Sequence, residues 1–173
     1  MQFLHDTKDD TRRIGALDLS KLASYIDASY GVHQNLRSHT GGAMSFGLGV
    51  LHAKSSKQKL NVKSSTEAEV VGVSDYLPYN LWIRNFLKEQ GYPLKENTVY
   101  QDNVSALKME KNGRNSCTGK SRHIDVRYLF TKDRFLKGKI DLKYCATEKM
   151  VADFLTKPLQ GKLFHTFREI IMG

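Results

Sequence analysis

Hydrophobic and polar positions change period several times along this chain, and each change marks an element. From Lys21 the text alternates: Leu22, Ile26 and Ala28 fall on one face, Ala23, Tyr25 and Asp27 on the other. This predicts a strand with an acid on one side. After a turn-rich stretch, Met44, Phe46, Leu48 and Val50 alternate with Ser45, Gly47 and Gly49, which predicts a second strand over 43–51. A third, weaker strand is expected within 53–64. At Ser64-Ser65-Thr66 the period lengthens. Glu67 and Glu69 suit the first turn of a helix, and Val70, Val73, Leu77 and Leu81 follow at helical spacing. Pro78 falls inside and is expected to kink or divide that helix.

Thr98-Val99-Tyr100-Gln101 reads as a short buried strand ending at Asp102, with Asn103 capping a helix that runs to about Lys111. A further helix spans about Arg122 to Leu136 and buries Ile124, Tyr128 and Phe135. Lys120, Arg127 and Arg134, seven apart, form a ridge beside that stripe. Ile140, Leu142 and Tyr144 alternate as a last strand, and Thr147 caps a helix that holds Asp153 and ends at Pro158. The order is an α/β domain over 21–158 with a mixed five-stranded sheet flanked by helices. Three strands pair antiparallel and two more join through helical crossovers. Residues 1–20 read as a linker or tether, and 159–173 as a tail with a short helix.

Composition narrows the classes. The 173 residues suit one domain with its own core. No apolar run approaches the roughly 18 residues a bilayer span requires, so no membrane partner is expected. Cys117 and Cys145 form neither a disulfide framework nor a zinc pattern, which favours a reducing intracellular setting. Net charge is +9, from 27 Lys and Arg against 18 Asp and Glu. Between Asn103 and Ile140 stand ten basic residues and three acids, so that stretch alone carries +7. Charge concentrated in this way is the footprint of a polyanion binder, although a solvated basic face produces the same count.

Four acids stand out by position: Asp27 within the first strand, Glu69 in the first helix, Asp102 at a strand end and Asp153 in the last helix. Metal-assisted phosphodiester hydrolysis uses two Mg²⁺ ions about 3.5–4 Å apart, and a few convergent carboxylates suffice to hold them. Each acid also has an ordinary structural reading. Asp27 suits a solvated strand, Glu67 and Glu69 a helix dipole, Asp102 a cap, and Asp153 an i±4 pair with Lys149 or Lys157. Position along the chain leaves their convergence open.

The boxes around these acids carry a resemblance. Tyr25-Ile26-Asp27-Ala28, Arg37-Ser38-His39-Thr40-Gly41-Gly42 and Ser56-Lys57-Gln58 are followed by Ser64-Ser65-Thr66-Glu67-Ala68-Glu69. Then come Gln101-Asp102-Asn103-Val104-Ser105-Ala106, Arg122-His123-Ile124-Asp125-Val126-Arg127-Tyr128 and Ala152-Asp153-Phe154-Leu155-Thr156-Lys157-Pro158-Leu159. In this order, across roughly 22–160, the set resembles the ribonuclease H domain of copia-type retrotransposon Pol polyproteins. The resemblance implies a ribonuclease H-like fold, two Mg²⁺ (or Mn²⁺) ions, and cleavage of RNA in RNA–DNA hybrids during reverse transcription. It makes Asp27, Glu69, Asp102 and Asp153 the metal-binding, catalytic acids. Glu69 is chosen over Glu67 because Val70-Val71-Gly72 follows it as in the family.

Asn103, Lys120, Arg122, Arg127 and Arg134 are the expected nucleic-acid contacts, since hybrids are gripped by phosphate and 2′-OH. An upstream reverse transcriptase domain of the same polyprotein is the implied partner, and a cytoplasmic virus-like particle the implied location. One departure stands out: the loop Cys145-Ala146-Thr147-Glu148 lacks the histidine of cellular ribonucleases H. The proton carrier is therefore unassigned, with His123 the nearest candidate. A catalytically silent, nucleic-acid-binding connection is the alternative reading.

Overall fold

The computed structural model describes residues 5–112 and 122–173, except the side chains of 122–125 and 128. In chain order the elements are β1 (Gly15–Ala16), β2 (Lys21–Ser29), β3 (His39–Ser45), β4 (Gly47–Leu48), β5 (His52–Lys57) and α1 (Ser65–Glu89). They continue as β6 (Glu96–Gln101), α2 (Val104–Asn112), α3 (Arg122–Leu136), β7 (Asp141–Tyr144), two 3-10 turns (Thr147–Lys149 and Val151–Leu155) and α4 (Gly161–Met172).

The main sheet has five strands in the order β5-β3-β2-β6-β7. β2 pairs antiparallel with β3, and β3 with β5, whereas β6 lies parallel to β2 and β7 parallel to β6. This is the expected meander with two strands added through helices. Alternation decides the layers. Leu22, Ile26, Met44, Val99 and Leu142 pack against Val73, Tyr76 and Leu77 of α1. On the opposite side Ala43 and Val50 meet Val151 of the second 3-10 turn and Phe167 of α4.

Buried polar groups fix α1 on the sheet. Asn80 and Asn97 exchange amide hydrogen bonds of 2.7 and 2.8 Å. Asn80 also donates to Ser24 Oγ, and Asn97 to the Lys139 carbonyl. Each buried donor and acceptor of the pair thus has a partner, which the low interior dielectric demands.

Three expectations are corrected. The second strand begins at His39, not at 43, and breaks at Phe46. Its first half contains Gly41 and Gly42 because helices crowd it from both sides. A Cβ on Gly42 would overlap the Tyr76 ring, and one on Gly41 would sit 2.6 Å from Thr156 Cγ2. Second, Pro78 does not divide α1, which runs unbroken for 25 residues. Pro78 lies on the exposed face of the helix. Third, Thr147 does not cap a helix through Asp153. That segment forms two 3-10 turns, and the Thr147 hydroxyl donates to Asp102 instead.

Asn103 does cap α2, accepting from Ala106 N at 3.0 Å. Of the stripe expected on α3, Phe135 packs at the edge of the core; the Ile124 and Tyr128 side chains lie outside the described residues. In the stretch 1–20, Arg13 N donates to the Met172 carbonyl, and β1 pairs with β4.

Candidate metal centre

Asp27 and Asp102 arrive at one place because their strands are neighbours. β2 and β6 run parallel, so Asp27 near the end of one and Asp102 just beyond the other share the carboxyl-end edge of the sheet, where ligands gather in such sheets. Glu69 comes from the first turns of α1. Its helix starts at Ser64, whose side chain accepts from Glu67 N, while Glu67 Oε2 accepts from Lys63 N at 2.7 Å. Glu67 is thereby spent on the helix start, and Glu69, only 4% exposed, turns inward. One carboxylate oxygen from each of Asp27, Glu69 and Asp102 lies within 4.8 Å of the other two.

That crowding shifts protons. Burial raises the Glu69 pKa well above 4.5, and the charges of Asp27 and Asp102 raise it further. Glu69 Oε2 is buried with no hydrogen-bond partner. Convergent hard oxygens with one orphaned buried acceptor fit a divalent cation such as Mg²⁺ or Mn²⁺.

Asp153 stands apart from this trio. It is 1% exposed and sits in the second 3-10 turn. Its Oδ1 is 2.8 Å from Lys157 Nζ, and the same ammonium lies 3.6 Å from Asp27 Oδ1. Burial lifts the Asp153 pKa to about 6, against the opposing hydrogen bond from Lys157. Burial also works against the Lys157 charge, but the bond to Asp153 and the nearby acids outweigh it and raise its pKa. Thr156 Oγ1 donates to Asp27 Oδ2, and Thr147 Oγ1 to Asp102 Oδ2 at 3.1 Å.

Sequence reasoning missed Thr147, Thr156 and Lys157 as members of this centre. The available signal was the four-residue spacing of Asp153 and Lys157.

The expected basic contacts divide. Arg127 pairs with Asp75 of α1, and Arg134 lies 5.0 Å over the Phe130 ring and 3.5 Å from Asp133. Lys120 and the side chains of Arg122 and His123 lie outside the described residues. Asn103 accepts through Oδ1 in its capping role.

No family model matches the chain. It is 30% identical over 172 residues, 99% of its length, to the retrovirus-related Pol polyprotein from transposon TNT 1-94 of Nicotiana tabacum. It is 32% identical over 148 residues to the corresponding polyprotein from transposon RE1 of Arabidopsis thaliana. The chain belongs to the copia/Ty1-type retrotransposon Pol polyproteins. This Pol region spans 13% and 10% of those two relatives.

Among solved structures it is similar to LC11-RNase H1, isolated from compost by a metagenomic approach. The TM-score is 0.57 at 14% identity, covering 79% of this chain and 92% of that one. The same protein in complex with an RNA/DNA hybrid gives 0.52. At such identity the likeness shows the fold, which is ribonuclease H-like.

Proposed function

We propose that this Pol domain is an endoribonuclease that hydrolyses the RNA strand of RNA–DNA hybrids with the help of two divalent ions, Mg²⁺ or Mn²⁺. The observation that carries the proposal is the convergence of Asp27, Glu69 and Asp102 at the end of two parallel strands. Bound ions of this kind activate a water and stabilise the leaving oxygen. The four acids, Asp153 included, hold the site's negative charge. Thr147 orients Asp102, and Thr156 orients Asp27. Asn103 keeps its side-chain Nδ2 for a 2′-OH while its Oδ1 caps α2.

Lys120, Arg122, Arg127 and Arg134 belong to the basic stretch that grips phosphate. Removing charge at Lys120, Arg127 and Arg134 together is expected to weaken hybrid binding and flatten its salt dependence. LC11-RNase H1 offers support, having been solved with a hybrid bound. The same reading makes the reverse transcriptase region of the polyprotein the partner that delivers the hybrid, in a cytoplasmic virus-like particle. Among the described residues no helix is long and apolar enough to cross a membrane.

Gel analysis of a labelled hybrid, with Mg²⁺ and with chelator, tests the proposal. RNA fragments that appear only with metal, and vanish in Asp27→Asn, are the expected result. Hybrid binding without cleavage at any metal concentration would replace it with the silent, nucleic-acid-binding connection.

A further inference from the structure

Among the described residues Lys157 is the cation paired with acids of this centre, and its placement has consequences for metal loading. Its ammonium lies between Asp153 Oδ1, at 2.8 Å, and Asp27 Oδ1, at 3.6 Å. The second oxygen of Asp27 accepts from Thr156. Asp27 is therefore engaged on both oxygens by two successive residues of one segment. The backbone of that segment is pinned: Lys157 N donates to the Asp153 carbonyl, and Ser29 Oγ donates to the Thr156 carbonyl. Pro158 follows directly and adds its own restriction. The Lys157 side chain is 38% exposed, so it has a way out toward solvent.

We propose that Lys157 is an internal counter-cation that fills the Asp27–Asp153 half of the centre in the metal-free domain. A second divalent ion then binds there only by displacing the ammonium. This rests on the metal-dependent reading above and goes beyond it, because it makes one lysine the determinant of how many ions the centre holds.

On the Glu69–Asp102 side the buried Glu69 Oε2 has no partner, and among the described residues Lys157 pairs with Asp27 and Asp153 and not with those two acids, so a first ion entering there meets no ammonium held by Glu69 or Asp102. Asp153 is almost fully buried and already neutralised by Lys157. A divalent ion bridging Asp27 and Asp153 would have to share both carboxylates with an ammonium a few ångströms away. Like charges at that range exclude one another. The two cations are therefore alternatives at one place, and the coupling between them is reciprocal. An ordinary i,i+4 surface pair would have no such effect, because its charges are solvated and screened.

Mn²⁺ titration of the whole chain, by calorimetry and by the electron paramagnetic resonance signal of free Mn²⁺, tests the inference on the parent, Lys157→Met and Lys157→Arg. The parent is expected to take one ion and then a second more weakly. Lys157→Met is expected to bind the second ion on the order of tenfold more tightly, within the usual range of site-to-site coupling. Lys157→Arg, which keeps the charge, should resemble the parent. A second readout needs no variant: the Lys157 ammonium resonance of the parent should move with the second equivalent of Mg²⁺ and not with the first. Equal second-ion affinity in the parent and Lys157→Met, or a Lys157 resonance indifferent to Mg²⁺, overturns the inference while leaving metal-dependent cleavage intact. A parent that binds no Mn²⁺ and cuts no hybrid overturns both.

Discussion

Glu69→Gln removes one charge from the centre with almost no change of shape, and its effect on stability depends on pH in a defined direction. Glu69 is 4% exposed, and its pKa lies well above 4.5 because of burial first and the charges of Asp27 and Asp102 second. At the 4.8 Å limit of the cluster, one pair of unit charges is worth about 3 kcal/mol at an effective dielectric near 20. The carboxyl avoids part of that by keeping its proton, so the net penalty in the metal-free protein is expected at about 1–3 kcal/mol. Well below pH 4.5, the ordinary value of a glutamate, the folded and unfolded chains both carry the proton, and Gln and Glu should be equivalent. As pH rises further the unfolded chain ionises first. The parent therefore loses stability until the folded pKa is passed, while Glu69→Gln does not. In chelator the variant should match the parent near pH 4 and melt higher at pH 8 by about 3–10 °C, given the size of the domain. Millimolar Mg²⁺ should then raise the parent more than the variant, because it binds the folded state through the carboxylate that Gln lacks. Melting curves at both pH values, with and without metal, decide this. A variant that melts lower than the parent at pH 8 in chelator, or one whose difference is the same at both pH values, would refute the reasoning.

Asp153, with its pKa lifted to about 6 from 3.8, should make the parent lose stability as pH rises from about 4 to 6 and no further above that; urea unfolding of Asp153→Asn across this range should lack that step. Asn80→Ala leaves Asn97 and Ser24 without their buried partner and should cost about 2–3 kcal/mol, read from the same urea transitions. Gly42→Ala drives a methyl into the Tyr76 ring and should cost about 2 kcal/mol or more; a variant as stable as the parent would mean that α1 can lift off β3.

The strands legible in the sequence were those whose alternation survives burial. β2 carries Leu22, Ile26 and Ala28 on one buried face, and the short β6 and β7 each bury a central apolar residue, Val99 and Leu142. β3 was half hidden. His39-Thr40-Gly41-Gly42 has the composition of a turn, because the places where side chains would stand are taken by Tyr76 from one side and by Thr156 from the other. Glycine at close approaches looks like glycine at turns until the neighbours are known. Pro78 misled for a related reason: α1 runs unbroken through it with the ring on the exposed face, and the face a proline takes is a tertiary fact.

The site divides along the same line. Asp27, Glu69 and Asp102 stood out by position, but only the resemblance joined them into one set; in the structure the adjacency of β2 and β6 brings Asp27 and Asp102 together. Glu67 and Glu69 were separable only through the resemblance, whereas in the structure the helix start itself separates them by occupying Glu67 with Lys63 N. Asp153 and Lys157 show the limit of spacing arguments. Four residues apart, they read as a solvated pair on a helix, and the ion pair is indeed present. But the segment coils as a 3-10 turn against β3, with Ala152 and Leu155 packed over Gly41. Because Gly41 is the register partner of Asp27, its missing side chain lets Thr156 and Lys157 reach that acid. A glycine in one strand thus determines what surrounds a carboxylate in the next, and the pair that spacing assigns to the surface becomes part of the centre.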